Sequence, residues 1–339
     1  MADVTSDTTY NQATFHFIRG TMHPKIKGLI AATYTPFTES GELNLGEIPA
    51  MVEHLLRWKI AGLYVLGSTG EGCSLLTEER IAVAQAFIEA AGGRVPVIVQ
   101  VGSECLKQSQ LLAAEAERMG AAAISAVAPV YFKPDSVDCL VESMASIARA
   151  APSLPFYYYH IPAATGVPIA ALDFLRAAEI QIPSLRGIKF TSAAIHEYQA
   201  CLEYAEGSFD ILYGQDEMLL AGLSAGAQGA VGSTYNYAAP IYHALIQALE
   251  QGRLTDARKF QSHSQALVRA FIPFGPRGAQ KEIMRMVGNA LPKGQRFDCG
   301  PPRLPIMPLT EANRNSLREA LQTLGFFRWI GEDADEFAV

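Results

Sequence analysis

Leu63-Tyr64-Val65-Leu66 is followed by Gly67-Ser68-Thr69-Gly70-Glu71-Gly72, then by a helical stretch opening at Thr77, then by Val97-Ile98-Val99-Gln100-Val101. Two apolar runs of strand length flank a segment of helix length, with a glycine-rich turn between the first strand and the helix. Thr77 is the expected N-cap, and Glu78 and Glu79 complement the positive helix end in the first turn. Two strands joined by a helix have the connection that a parallel pair needs.

The same unit recurs along the chain. Gly28–Tyr34 is an apolar run closed by Pro36, and a helix over about residues 46–58 puts Ile48, Met51, Val52, Leu55 and Leu56 on one face. After Val97–Val101 comes a helix over about 106–119. Ala123–Val130, ended by Pro129, precedes a helix over 136–150. The later strands are predicted at Phe156–Ile161, Leu185–Thr191, Phe209–Tyr213 and Gly229–Thr234, with a helix near Ile241–Leu249. Alternating strands and helices imply a parallel sheet covered by helices, and eight units are the number that closes a barrel. The expected fold is an α/β TIM (β/α)8 barrel with a C-terminal helical extension; a doubly wound open sheet is the alternative. The extension rests on helical stretches near 254–272, 279–290 and 311–324. The expected organisation is an N-terminal extension over 1–24, the barrel over 25–252, the helical extension over 253–328 and an acidic tail over 329–339.

Composition narrows the function classes. The 339 residues are 49% hydrophobic and 18% charged with a net charge of −7, which excludes a disordered chain and lacks the basic footprint of a nucleic-acid binder. Cys73, Cys105, Cys139, Cys201 and Cys299 form no CxxC pair, so they are expected to be free, buried or half-buried thiols. No run of 18 apolar residues occurs, and residues 1–21 lack the pattern of a secretory signal. The expectation is a soluble cytoplasmic protein without membrane or nucleic-acid partners.

A barrel of this type carries its chemistry at the C-terminal ends of its strands. Those ends offer Thr35, Ser68, Thr69, Tyr131, Tyr159, Lys189, Thr191, Asp216, Glu217 and Ser233. Lys189 lies between Ile188 and Phe190. If those two face the helices, Lys189 points into the barrel, where burial favours a neutral, nucleophilic amine. It reads equally as a Schiff-base lysine or as one whose head reaches an acidic partner or solvent. Tyr159 could relay a proton, although a Tyr157-Tyr158-Tyr159 run is more often half-buried strand. The 67–72 loop could cradle a small carboxylate or be an ordinary turn; its spacing is not GxGxxG and no GK[ST] follows. No metal-binding motif is present, and His16, His23, His54, His160, His196, His243 and His263 are dispersed.

Three stretches then become recognisable together: Gly67-Ser68-Thr69-Gly70-Glu71, Tyr159-His160-Ile161-Pro162-Ala163-Ala164-Thr165-Gly166 and Gly187-Ile188-Lys189-Phe190-Thr191. With them, residues 25–310 resemble the N-acetylneuraminate lyase and dihydrodipicolinate synthase superfamily of pyruvate-dependent class I aldolases. Leu154–Ala163, Gly229–Tyr237 and Gly300-Pro301-Pro302-Arg303-Leu304-Pro305 look most like the animal-type N-acetylneuraminate lyases within it. The resemblance implies that Lys189 forms the imine with pyruvate and Tyr159 handles the substrate hydroxyl proton. It implies that Ser68 and Thr69 hold the pyruvate carboxylate, that Thr191 contacts substrate, and that Gly214, Asp216, Glu217 and Ser233 bind the polyhydroxyl tail of a sugar. Tyr131 falls where many members place a tyrosine that reaches a neighbouring subunit.

The implied reaction is reversible cleavage of the sialic acid N-acetylneuraminate to N-acetylmannosamine and pyruvate, with no cofactor, no metal and a homotetrameric assembly. Ala164 stands where dihydrodipicolinate synthases place an arginine that grips a substrate carboxylate, so that substrate loses its anchor. Gln215 sits where relatives differ, which bears on sugar preference. Another pyruvate-dependent aldolase or hydratase, such as a 2-keto-3-deoxy sugar acid aldolase, is the near alternative, and a non-catalytic sugar-binding barrel the distant one.

Overall fold

The computed structural model describes residues 24–331. Eight strands close into a parallel barrel: β1 Gly28–Ala32, β2 Gly62–Val65, β3 Val97–Gln100, β4 Ala123–Val127, β5 Phe156–His160, β6 Leu185–Phe190, β7 Asp210–Tyr213 and β8 Gly229–Gly232. Each strand pairs with its sequence neighbour, and β8 returns to β1 through Gly28↔Gly229 to Ala31↔Gly232. Closure leaves no free sheet edge. The crossover helices are α1 Ile48–Arg57, α2 Thr77–Ala91, α3 Leu106–Arg118, α4 Val137–Ala148, the single turn α5 Pro162–Thr165, α6 Ala171–Gln181, α7 Ile195–Glu203, α8 Leu219–Ser224 and α9 Tyr235–Glu250. Four more follow: α10 Leu254–Phe271, α11 Pro276–Ala290, α12 Glu311–Leu324 and α13 Phe326–Trp329. The eight-unit barrel with a helical extension is therefore observed, and the open sheet is not.

Strand alternation sorts the apolar residues into two cores. Ile30, Ala32, Tyr64, Ile98, Ala123, Tyr157, Tyr159, Leu212 and Val231 fill the barrel interior. Ile188, Phe190 and Tyr158 belong to the larger layer between strands and helices. The tyrosine run thus splits: Tyr158 packs its ring 4.4 Å from Phe174 outside the barrel, while Tyr157 and Tyr159 point in. Tyr157 donates to Asp210 Oδ2 at 2.8 Å, and the same oxygen accepts from Ile26 N, which closes the floor with paired polar groups.

Several details differ from the sequence reading. Thr77 is the first helical residue of α2 and not its N-cap; the Leu76 amide is satisfied by Glu79 Oε2 at 2.9 Å, so the carboxylate does the capping from within. Ser136 does cap α4, accepting from Cys139 N. Helix α9 begins at Tyr235, well before Ile241, because Pro240 sits inside it at a kink centred on Ala238 and breaks the apolar pattern. Helix α11 starts at Pro276, a residue suited to a first turn where its missing N–H costs nothing. Cys201 and Cys299 are buried thiols, but Cys73, Cys105 and Cys139 are exposed, contrary to expectation: they sit in the loop before α2 and at the starts of α3 and α4. Among the described residues no helix is long and apolar enough to cross a membrane. The proposed N-terminal extension, save Pro24, and most of the acidic tail lie outside the described residues.

Candidate active site

The C-terminal strand ends surround a cavity of about 380 Å³ lined by Thr69, Tyr159, Lys189, Thr191, Gly214, Asp216, Glu217 and Ser233. Eight of the eleven residues singled out from the sequence, the ten at strand ends and Gly214, therefore meet in one place. Ser68 lies at the exposed mouth beside them. Tyr131 does not line the cavity: it is 82% exposed, stacked edge-on against Phe132, in a loop whose Val130 and Tyr131 amides donate to Glu104. Thr35 is structural, donating to Gly70 O at 2.6 Å.

Lys189 is 4% exposed, and its Nζ lies 3.7 Å from the centroid of the Tyr64 ring and 4.1 Å from that of Tyr159. Desolvation inside the barrel pulls its pKa down to about 7, against the opposing pull of Asp216. Between the two sequence-level readings, the geometry supports a buried amine over aromatic faces and not an ion-paired lysine. Near neutral pH a large fraction is the free amine, which is the nucleophilic form. Tyr64, in turn, donates to Ser125 Oγ at 3.0 Å, which fixes its ring against the lysine.

Tyr159 opens its phenol onto the same cavity. Burial raises its pKa, while the neighbouring Ser68 and Thr191 hydroxyls lower it. These hydroxyls would stabilise charge arriving on the phenol oxygen. Thr191 Oγ1 is buried and makes no hydrogen bond among the described residues. Gly214 explains its tight seat: a Cβ there would lie 2.1 Å from Thr191 Oγ1 and 2.9 Å from Phe190 O. Glycine is needed at this position for closeness, not for an unusual φ.

Across the cavity, Asp216 Oδ2 accepts from Thr234 N at 2.9 Å and Thr234 Oγ1 at 2.6 Å, which fixes that carboxylate at the cavity wall. Burial and the nearby Asp216 carboxylate push Glu217 up to about 7. Ser233 donates to Gln280 Oε1 at 2.8 Å, and Tyr237 reaches the same oxygen at 3.1 Å. The far wall consists of Val268, Phe271, Ile272 and Pro276. Sequence reasoning missed Tyr64, Thr234, Gln280 and this apolar wall. Tyr64 was signalled by strand alternation in β2, and Thr234 closes the predicted eighth strand; Gln280 and the apolar wall come from α10, α11 and the turn between them, elements assigned no part in the site. Among the described residues, no three His, Cys, Asp or Glu side chains cluster closely enough to hold a metal. His54 and His160 are buried, and desolvation lowers each to about 4, as for core histidines.

Comparison with known proteins agrees with this geometry. The family model described as the Dihydrodipicolinate synthetase family matches residues 25–324. N-acetylneuraminate lyase of Xenopus tropicalis is 43% identical over 286 residues, covering 83% of this chain and 91% of its own length. That of Rattus norvegicus is 37% identical over 310 residues, 91% of this chain and 95% of its own. The solved Proteus mirabilis N-acetylneuraminate lyase matches with a TM-score of 0.85 at 38% identity, covering 89% of this chain and 100% of its own. With its barrel, its buried lysine and a family match across nearly the whole described chain, this protein belongs to the dihydrodipicolinate synthetase family.

Proposed function

We propose that this chain is a class I aldolase that cleaves N-acetylneuraminate reversibly to N-acetylmannosamine and pyruvate. The observation that carries the reading is the desolvated Lys189 amine beside the Tyr159 phenol, in a cavity flanked by a hydroxyl-bearing, glycine-rich loop. Identity of 37–43% to relatives named for this activity selects it among the family's reactions.

In this reading the open-chain substrate presents its ketone to Lys189 and its carboxylate to Ser68 and Thr69. The amine adds to the ketone, water leaves, and the protonated imine draws electrons from the adjacent carbon–carbon bond. Tyr159, as the phenolate that the Ser68 and Thr191 hydroxyls stabilise, takes the proton from the hydroxyl on the far side of that bond and is left as the neutral phenol, which can return the proton to the enamine carbon. The bond breaks to an aldehyde and an enamine on Lys189. Protonation of the enamine carbon and hydrolysis of the imine return the amine and free pyruvate. The lysine is the electron sink, so the step calls on no cofactor or metal. Asp216 and Glu217 accept from sugar hydroxyls, and Gly214 and Ser233 complete the tail's seat.

The barrel over 25–252 supplies the chemistry, and the extension over 253–328 supplies one wall. A cytoplasmic homotetramer completes the proposal. The exposed Tyr131–Phe132 pair favours a contact between subunits, and solution mass measurement tests it. Of the second readings, a dihydrodipicolinate synthase-like reaction is disfavoured at Ala164, an exposed apolar position that offers no carboxylate grip; a 2-keto-3-deoxy sugar acid aldolase is separated by substrate. The test is turnover: N-acetylneuraminate should yield pyruvate in a coupled reductive assay, and inertness toward it with activity on another 2-oxo acid would sink the assignment.

A further inference from the structure

A second buried lysine lies beneath the glycine-rich loop. Lys281, on α11, is 1% exposed, and its Nζ meets Glu71 Oε1 at 2.6 Å; the Glu71 side chain is only 3% exposed. The other Glu71 oxygen accepts from the Arg303 backbone N at 2.8 Å. Both carboxylate oxygens are thus held by the C-terminal part of the chain, more than 200 residues away. The Lys281 ammonium also sits 4.0 Å from the centre of the Phe37 ring, and the Arg303 guanidinium 4.5 Å from the same ring. Arg303 itself is anchored by two hydrogen bonds to the Glu79 carboxylate, at 2.8 and 2.6 Å, which fastens this segment to the start of α2.

The loop needs such an anchor. Leu66 and Glu71, at its two ends, both adopt left-handed backbone conformations, with φ of 64° and 55°. Neither is glycine, and each pays a conformational cost that the surroundings must offset. The turn between them is tight: Gly72 packs so close to Leu66 that a Cβ would lie 2.0 Å from the Leu66 carbonyl oxygen. Ser68 and Thr69 project from the middle of this turn. Their positions are therefore set by a backbone that the paired, buried Glu71 holds in the left-handed region, together with the Thr35 bond to Gly70 O and the turn's own backbone bonds. Surface solvation cannot supply that hold, because the carboxylate is sealed from water.

We propose that Lys281 and Glu71 are positioning residues for the carboxylate-binding hydroxyls of Ser68 and Thr69, and that the C-terminal helices thereby form a working part of the pyruvate site. This rests on the aldolase reading given above. The pair does not touch substrate. It acts by fixing the loop, so its loss should weaken recognition of the substrate's carboxylate more than the reactivity of Lys189.

The experiment compares two ketones that differ in one charge. Borohydride trapping at Lys189 is titrated with pyruvate and with methyl pyruvate, in the wild type, in Lys281→Met and in Glu71→Gln/Lys281→Met. The double variant removes both charges together and keeps the test open if the single variant leaves an unpaired buried carboxylate and fails to fold. The expected result is a rise of about tenfold in the half-saturating pyruvate concentration, equivalent to one good hydrogen bond to the carboxylate. Methyl pyruvate should stay near its wild-type value. Equal weakening for both ketones, or no change for either, overturns the positioning role and leaves the pair structural. Absence of trapping by the wild type at Lys189 would instead defeat the aldolase reading itself.

Discussion

Replacing Lys189 with methionine should make the protein more stable while abolishing its chemistry. The wild-type amine falls from an ordinary lysine value of 10.5 to about 7 because the barrel interior desolvates it. Each unit of such a shift corresponds to about 1.4 kcal/mol between folded and unfolded states. Below about pH 7 the folded state must hold a buried ammonium, and the whole cost applies; above about pH 10.5 the amine is neutral in both states and the cost vanishes. Between these limits the unfolded chain binds the extra proton, so wild-type stability rises with pH on account of this residue. Methionine is close in volume, apolar and carries no proton. Working the shift through the linkage relation gives Lys189→Met an advantage of about 4 kcal/mol near pH 7 and under about 1 kcal/mol near pH 10.5. In a chain of this size that is several degrees in Tm. Thermal unfolding of both proteins across this pH range is the assay. A variant no more stable than the wild type near pH 7, or an advantage that does not shrink as pH rises, would show that the amine is not the desolvated group described above.

Tyr159→Phe should lower kcat by about a hundred- to ten-thousand-fold, the usual worth of a positioned proton-transfer group, while leaving imine trapping by pyruvate intact; steady-state kinetics alongside trapping separates the two. Gly214→Ala places a methyl group 2.1 Å from Thr191 Oγ1, so kcat/KM should fall and stability drop by about 1–3 kcal/mol, checked by kinetics and denaturant melts. Glu217 is raised to about 7, so it is protonated below that pH and an ionised acceptor above it. Glu217→Gln, a mimic of the neutral form, should match the wild-type KM for the sugar near pH 6 and exceed it near pH 8, a divergence that pH-resolved KM measurements would detect.

The barrel was legible because eight apolar strand-length runs recur from Gly28 to Gly232, the first four each followed by a helical stretch, although α6, α7 and α8 were not assigned; the inward direction of Lys189 followed from its two apolar neighbours. Most of the site followed in turn, since the fold confines chemistry to strand ends. What escaped is what sequence periodicity does not encode. Pro240 hid the start of α9, and the bonds by which Thr234 braces Asp216 join two strand ends 18 residues apart, which no local pattern shows. Gln280 and the Val268–Phe271 wall reach the cavity through helix packing, which has no local signature. The Lys281–Glu71 pair spans 210 residues, and nothing near either residue marks it as buried. Tyr131 was read at a strand end, but β4 stops at Val127 and Tyr131 lies in the following loop, its ring 82% exposed and away from the cavity.

The most direct test of the central claim is where pyruvate becomes attached. The wild-type protein, treated with pyruvate and borohydride and mapped by peptide mass, should carry one reduced pyruvate adduct, on Lys189, and Lys189→Met should carry none. An unmodified Lys189 in the wild type, or an adduct on another lysine that persists in Lys189→Met, would contradict the account.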